Sequence, residues 1–229
     1  SLIVTLVIGA IVAFLLSFFA SRIYDAVTES DSVAGLDRPI LATAISLRSP
    51  VVDAVVTGYT DIAGPIGMPI IAVAAILILS LWRKSWTPAI LIAAAAAGSL
   101  AMTIAGKDII DRVRPPLEEA VPPYEYSPSF PSGHTLNAVV VAGVIAYLVI
   151  LRRTSVVTRV IPVVIAVLFA LTIGLSRVFL GHHWFTDVLA AWALGGAWLA
   201  IVITAHRLYL TTRARGVNLN GESATPGAR

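Results

Sequence analysis

Three short polar clusters interrupt long apolar runs in this chain, and their residue types are those that hold and transfer phosphate. Lys107 is followed by Asp108, Asp111, Arg112, Arg114 and Pro115; Pro131-Ser132-Gly133-His134 stands ahead of an apolar run; and Ser176-Arg177 precedes Gly181-His182-His183-Trp184-Phe185-Thr186-Asp187. Ionisable groups at membrane depth cost roughly 2.5–3.5 kcal/mol each even on insertion scales, so side chains kept there mark function. Lys107, Arg114 and Arg177 supply three positive charges, and the planar arginine forks match phosphate oxygens. Gly133 and His134 open a helix, whose free backbone N–H groups and positive dipole end favour an anion. A phosphate group is the guest that these residues suit.

Chemistry on phosphate needs a nucleophile and an acid. His183 and Asp187 stand four residues apart and are expected to share a helix face, where the carboxylate takes the Nδ1 proton and leaves Nε2 free to attack phosphorus. His182 is five residues from Asp187 and is expected to face away in a supporting or structural part. His134, arriving from another helix, would protonate the departing oxygen and later activate water. A zinc site made of His134, His183 and Asp187 is the rival by residue type. The three neighbouring cations would repel such a metal and can themselves neutralise phosphate, so neither metal nor cofactor is expected.

The elements that must position these residues are membrane helices. Of 229 residues, 58% are hydrophobic and 13% charged, and the mean hydropathy is +0.89. An ordinary soluble domain has about 45–50% apolar and about 25% charged residues; such a domain is excluded, as is a disordered chain. There is no cysteine, hence no disulfide framework, thiolate metal site or cysteine nucleophile. The net charge of +3 on so apolar a chain suits anionic lipid headgroups and not nucleic acid.

Apolar blocks near the ~20-residue crossing length run from Leu2 to Ala20, Ile66 to Leu81, Pro88 to Ile110, Leu136 to Leu151, Val160 to Leu175 and Trp184 to Ala205. The expected fold is all-α, a polytopic bundle of six transmembrane helices. The first block is long and has neither a preceding charge nor an A-x-A site before Ser21, so it reads as an anchor rather than a signal peptide. Between the first two spans, residues 21–65 mix acids with apolar residues at helical spacing, as in Ile40, Leu41, Ala44, Ile45 and Leu47; this predicts short amphipathic interfacial helices, with a solvated loop packed on the bundle as the alternative. Residues 1–208 form the membrane domain, and 209–229 read as a polar, disordered cytoplasmic tail. The small-residue runs Ala93 to Ser99 and Ala191 to Gly195 serve either packing within the chain or a homodimer.

Helix parity puts all three clusters at one end of the bundle, because two flank the loop after span three and the third lies in the loop after span five. Orientation follows from Arg83, Lys84, Arg152, Arg153, Arg159, Arg207, Arg213, Arg215 and Arg229 at the other end, with every acid except Glu222 on the cluster side. Both termini are therefore expected in the cytoplasm and the clusters outside it. Arginine outnumbers lysine 14 to 2, a bias of GC-rich bacterial genomes, so the expected location is a bacterial cytoplasmic (inner) membrane. Residues 116–130 are expected either as the cover of the site, with Glu118, Glu119 and Glu125 disfavouring extra negative charge and Tyr124, Tyr126 and Phe130 at the interface, or as a passive connector.

Together the clusters resemble the type-2 phosphatidic acid phosphatase superfamily, whose motifs read K-x-x-x-x-x-x-R-P, P-S-G-H and S-R-x-x-x-x-x-H-x-x-x-D. They match here as Lys107 to Pro115, Pro131 to His134 and Ser176 to Asp187. The resemblance implies a metal-independent membrane phosphatase acting on a lipid phosphate or diphosphate through a phosphohistidine. It implies that Lys107, Arg114, Ser132, Gly133 and Arg177 hold the phosphate, that His134 is the acid, and that His183 with Asp187 forms the covalent intermediate. Undecaprenyl diphosphate and phosphatidylglycerol phosphate are the leading substrates on this resemblance; a silent lipid-phosphate binding or transport protein using the same anion pocket is the alternative.

Overall fold

The computed structural model describes residues 2–29 and 32–222, and its regular structure among them is entirely helical. Helix α1 (Leu2–Glu29) runs past the expected end at Ala20 and buries only Ala20, Ile23 and Ala26, near its C-terminal end. The rest of its surface, including Ile3, Phe14 and Phe18, is exposed, as suits a lipid-facing helix. It lies along α9 (Phe185–Glu222), with Gly9 facing Thr204 and Gly196 facing Leu16.

Short helices are present between the first spans, as expected, and among the described residues there are two of α-helical form. Helix α2 (Asp37–Ser46) buries Asp37, Leu41 and Ala44. Helix α3 (Pro50–Thr60) starts where the Ser49 side chain accepts the Val52 N–H, with Pro50 in the first turn. A 3-10 turn, Asp61–Ala63, joins it to α4 (Gly67–Arg83) across a 46° bend. Lys84 in the left-handed region (φ 48°) stops α4. Helix α5 (Thr87–Ile110) follows, with Pro88 in its first turn.

The fourth span, Gly133–Ile150, is built from α6 (Gly133–Asn137), a π-helical stretch Ala138–Ala142, and α7 (Gly143–Ile150). This is the innermost helix: Leu136, Val140, Val144 and Leu148 have no exposed surface, and the last three pack with Ile92 of α5 and Ile173 of α8 (Val156–Phe179). A π-stretch commonly marks a functional region, and this one begins four residues after His134. Five helices are each long and apolar enough to cross a bilayer, and the bent pair around α4 supplies a sixth.

The small-residue faces are used within the chain: Ala95, Ser99 and Ala191 are fully buried, Gly98 faces Trp198 and Gly195 faces Val139, so nothing supports a homodimer through them. The last helix also continues to Glu222, beyond residue 208 where the polar tail was expected to begin; residues 223–229 lie outside the described residues.

Candidate active site

The site is assembled at one end of the bundle from the ends of α5, α6, α8 and α9 and the segments between them. Helix α5 ends because Asp111 enters the left-handed region (φ 42°) after its N–H bonds to the Lys107 carbonyl. The chain then runs without helix into Pro115-Pro116, and extended backbone alternates its side chains. Val113 accordingly points out, 82% exposed, while Arg112 and Arg114 turn inward. The Arg114 Nη1 donates to the His182 carbonyl at 2.5 Å and lies 3.3 Å from His183 Nε2; its Nε donates to the Ser127 carbonyl at 2.6 Å.

His183 was expected on a helix with Asp187 and instead occupies the turn before α9. Gly181 makes that turn: its φ is +73°, and a Cβ there would meet the Ala120 Cα at 3.1 Å. The N–H groups of His182 and His183 both donate to the Arg177 carbonyl, at 3.0 and 3.3 Å, which fixes both imidazoles to the end of α8. Asp187 sits in the first turn of α9 and reaches back to accept the Trp184 N–H at 2.9 Å, one half of a capping box. That return brings its Oδ2 to 3.4 Å from His183 Nδ1. The carboxylate thus reaches His183 as expected, through a helix cap in place of a shared helix face, and at ion-pair distance without a formed hydrogen bond. The His182 Nε2 lies 2.6 Å from the Val121 carbonyl.

Lys107 Nζ donates to Ser127 Oγ at 2.7 Å and to the Pro128 carbonyl at 2.6 Å. Lys107, Gly133, His134 and His183 line one cavity of about 820 Å³. Its other wall is apolar, made by Met68, Pro69 and Ala72 of α4 and Ala96 and Leu100 of α5. The turn at Gly64 packs against His134 Nε2. Ser132 is not part of the cavity lining: it is fully buried, and its Oγ accepts from Thr135 Oγ1 at 2.9 Å.

Arg114 and Arg177 meet at Glu125. One carboxylate oxygen is 2.8 Å from Arg114 Nη2, and the other pairs with Arg177 Nη2. Burial by itself would raise the Glu125 carboxyl, but the Arg177 and Arg114 guanidiniums hold it down at about 2. Burial first, then Arg114 and Arg177, push the His183 imidazole well below its usual range, so it is neutral and has a free ring nitrogen at physiological pH. Burial and then Arg177 lower His182 to about 4. Among the described residues no three His, Asp or Glu side chains gather in a way that could hold a metal ion.

Two features escaped the sequence reading. Of the three acids expected to screen the entrance, Glu118 and Glu119 do not line the cavity; Glu119 pairs with Arg38 at 3.3 Å, and Glu125 alone enters. Arg112 and Asp37 form a buried pair beside Asp187. The alternation with Arg114 ahead of two prolines was a signal for Arg112; nothing local marks Asp37, which lies 75 residues away in sequence.

Comparison with known proteins places this geometry. A model of the PAP2 superfamily matches residues 87–209. Phosphatidylglycerophosphatase B of Bacillus subtilis (strain 168) is 34% identical over 184 residues, which is 78% of this chain and 87% of that protein. The crystal structure of a transmembrane PAP2-type phosphatidylglycerolphosphate phosphatase from Bacillus subtilis superposes with a TM-score of 0.77 at 29% identity, covering 85% of this chain and 96% of that one. The crystal structure of Aquifex aeolicus LpxE, at 22% identity and a TM-score of 0.57 over 73% of this chain and 94% of that one, shares the fold.

Proposed function

This chain belongs to the PAP2 superfamily and is a multi-pass membrane lipid phosphatase, and we propose that it works without a metal, through a phosphohistidine on His183. The observation that carries the reading is the contact of Arg114 Nη1 with His183 Nε2 at 3.3 Å, His183 itself standing at the polar end of a cavity whose far wall is apolar. A guanidinium so placed holds phosphate oxygens against the attacking nitrogen. Lys107 and Arg177 complete the cationic set, and the backbone of Gly133 at the start of α6 adds N–H donors. Ser132 contributes through its place in the turn, since its side chain is fully buried and outside the cavity lining.

In the first step Nε2 bonds to phosphorus and the bond from phosphorus to the lipid oxygen breaks, with His134 giving that oxygen a proton. In the second, His134 takes a proton from water, whose oxygen attacks phosphorus; the P–N bond breaks, releasing inorganic phosphate and restoring neutral His183. Asp187 steadies the positive charge that His183 carries in between. The chains of the lipid lie between α4 and α5, along Met68, Ala72, Ala96 and Leu100, so entry is sideways from the bilayer.

Phosphatidylglycerol phosphate is the substrate favoured by the Bacillus relative, with undecaprenyl diphosphate second. The site faces the extracytoplasmic side of a bacterial inner membrane. Supporting this, the cations at the site end are engaged: Arg22 with Asp25, Arg38 with Glu119, Arg48 with the Phe179 and Glu119 carbonyls, and Arg112, Arg114 and Arg177 with acids. The excess at the other end then sets the orientation.

The test is phosphate release in detergent with EDTA, across lipid phosphates and diphosphates, with labelling of the enzyme under an alkaline quench. Turnover in EDTA, inhibition by vanadate and an acid-labile, base-stable phosphoryl group lost in His183→Ala are expected. Binding of lipid phosphate without release would instead favour a silent carrier. A cysteine at exposed Glu118 should react with an impermeant thiol reagent in intact cells; labelling only after lysis would invert the topology.

A further inference from the structure

Asp187, the carboxylate behind the nucleophile, has closer partners than His183. Its Oδ1 accepts from Arg112 Nη1 at 2.5 Å and its Oδ2 accepts the Trp184 N–H at 2.9 Å, against 3.4 Å to His183 Nδ1. Arg112 is in turn bound through Nη2 to Asp37 at 2.7 Å, and Asp37 also accepts the Thr186 N–H at 2.9 Å and the Thr186 hydroxyl at 2.7 Å. Asp37 and Asp187 are 4% and 0% exposed. Asp37 opens α2, in the segment between the first two spans and outside the residues that the family model matches.

A guanidinium that near a carboxylate ordinarily competes for its charge. Were Arg112 paired with Asp187 alone, the couple would be neutral and little field would remain for an imidazolium at His183. Asp37 changes that balance: two carboxylates share one guanidinium, and the trio keeps one net negative charge directed at Nδ1. Arg112 also locks the rotation of the Asp187 carboxyl through Oδ1, leaving Oδ2 toward the histidine. We infer that Asp37 and Arg112 are positioning residues for the reaction, a clamp by which helix α2 sets the orientation and field of Asp187 behind His183.

The two guanidiniums of one extended segment thus divide the work. Arg114 approaches His183 from Nε2, where phosphate arrives, and Arg112 acts from behind Nδ1 through Asp187. The other groups facing His183 are Arg114, Glu125, Lys107 of α5, Arg177 of α8, His134 of α6 and the adjacent His182. None of these changes in the variants below, so a displaced pH profile reports the clamp.

This inference rests on the phosphohistidine reading, and the experiment separates the two. Phosphate release from phosphatidylglycerol phosphate in detergent micelles is followed across pH for the full-length chain and for Asp37→Asn, Arg112→Gln, the double variant and His183→Ala. Asp37→Asn keeps an oxygen acceptor for Thr186 and should lower kcat roughly 10–100-fold, the scale for groups that orient a functional ligand, with KM within about twofold. Arg112→Gln leaves two uncompensated buried carboxylates near His183 and should move the acid limb of kcat/KM up by about one pH unit or more. The double variant should bring that limb back toward the parent position. Substrate titration is common to all variants and drops out of the comparison. An unmoved limb in Arg112→Gln, an unrestored limb in the double variant, or a parent-like kcat in Asp37→Asn would each overturn the clamp. If Asp37→Asn does not elute as folded protein, Asp37→Ser, which also retains an oxygen acceptor, is read by the same criteria. Turnover retained by His183→Ala would sink the phosphohistidine reading instead, whatever the clamp variants do.

Discussion

The two ends of this bundle use the same basic side chains for opposite ends. At the site end, Arg112, Arg114 and Arg177 are matched by Asp37, Asp187 and Glu125 in pairs that are mostly buried, Arg177 being 1% exposed. At the other end, Arg83 donates to the Leu148 carbonyl near Arg152, Tyr147 bonds to His206 at 2.8 Å, and the sequence offers Glu222 as the sole acid beyond the even-numbered spans. Burial accounts for the difference. A charge enclosed among apolar helices must be answered by an opposite charge or a ligand, whereas one at the headgroup level is answered by water and lipid phosphate. Charge counts along a membrane chain therefore orient it best after the paired cations have been subtracted.

The comparison can be broken most sharply at the nucleophile. His183→Ala should lose on the order of 10⁴-fold or more in kcat, while His182→Ala, which frees a carbonyl, should stay within about tenfold; the reverse order in a phosphate-release assay would move the nucleophile to His182. Next comes the cationic set. Arg114→Met should cost roughly 10²–10³ in kcat, the scale for removing a preformed oxyanion donor, and Arg83→Met at the opposite end should leave kcat within about twofold. Equal losses would mean that charge alone, and not its placement, matters.

A smaller effect with the opposite sign is expected at Glu125. Its carboxylate occupies both arginines that the substrate phosphate needs, so Glu125→Gln should tighten inhibition by vanadate and by inorganic phosphate up to roughly fivefold, the range for a partly exposed pair. Weaker inhibition would show that Glu125 supports the arginines more than it competes for them. The smallest expected change is at the far end: Tyr147→Phe should cost about 1 kcal/mol of stability, as for one lost hydrogen bond, with kcat unchanged. A thermal-melt series beside the turnover assay checks it, and a fall in kcat would couple the two ends.

Much of this could be read from the sequence. Lys107, Gly133, His134 and His183 line one cavity because parity allows only one end of the bundle for all of them. The six spans follow from apolar runs, and α2 and α3 from amphipathic spacing. The His183–Asp187 relation differs from the expected one in cause and in closeness: the expected helix face is a turn and a capping contact, with Nδ1 and Oδ2 3.4 Å apart and no hydrogen bond between them, since Gly181 at positive φ delays the start of α9 to Phe185. Glu118, Glu119 and Glu125 look alike in a linear reading, and the fold sends Glu119 to Arg38 and Glu125 into the site.

What the sequence determined by itself was therefore the chemistry's inventory and the end of the bundle at which it gathers. Both depend on composition, periodicity and the count of membrane crossings, which are properties of the chain taken in order. Only the tertiary structure decided which charges neutralise one another: Arg112 could have served phosphate as plausibly as Arg114 until the extended turn after Asp111 delivered it to Asp37 and Asp187. Ion pairs between residues 75 apart act over a few ångströms, and no local pattern encodes a distance that depends on how separate helices pack.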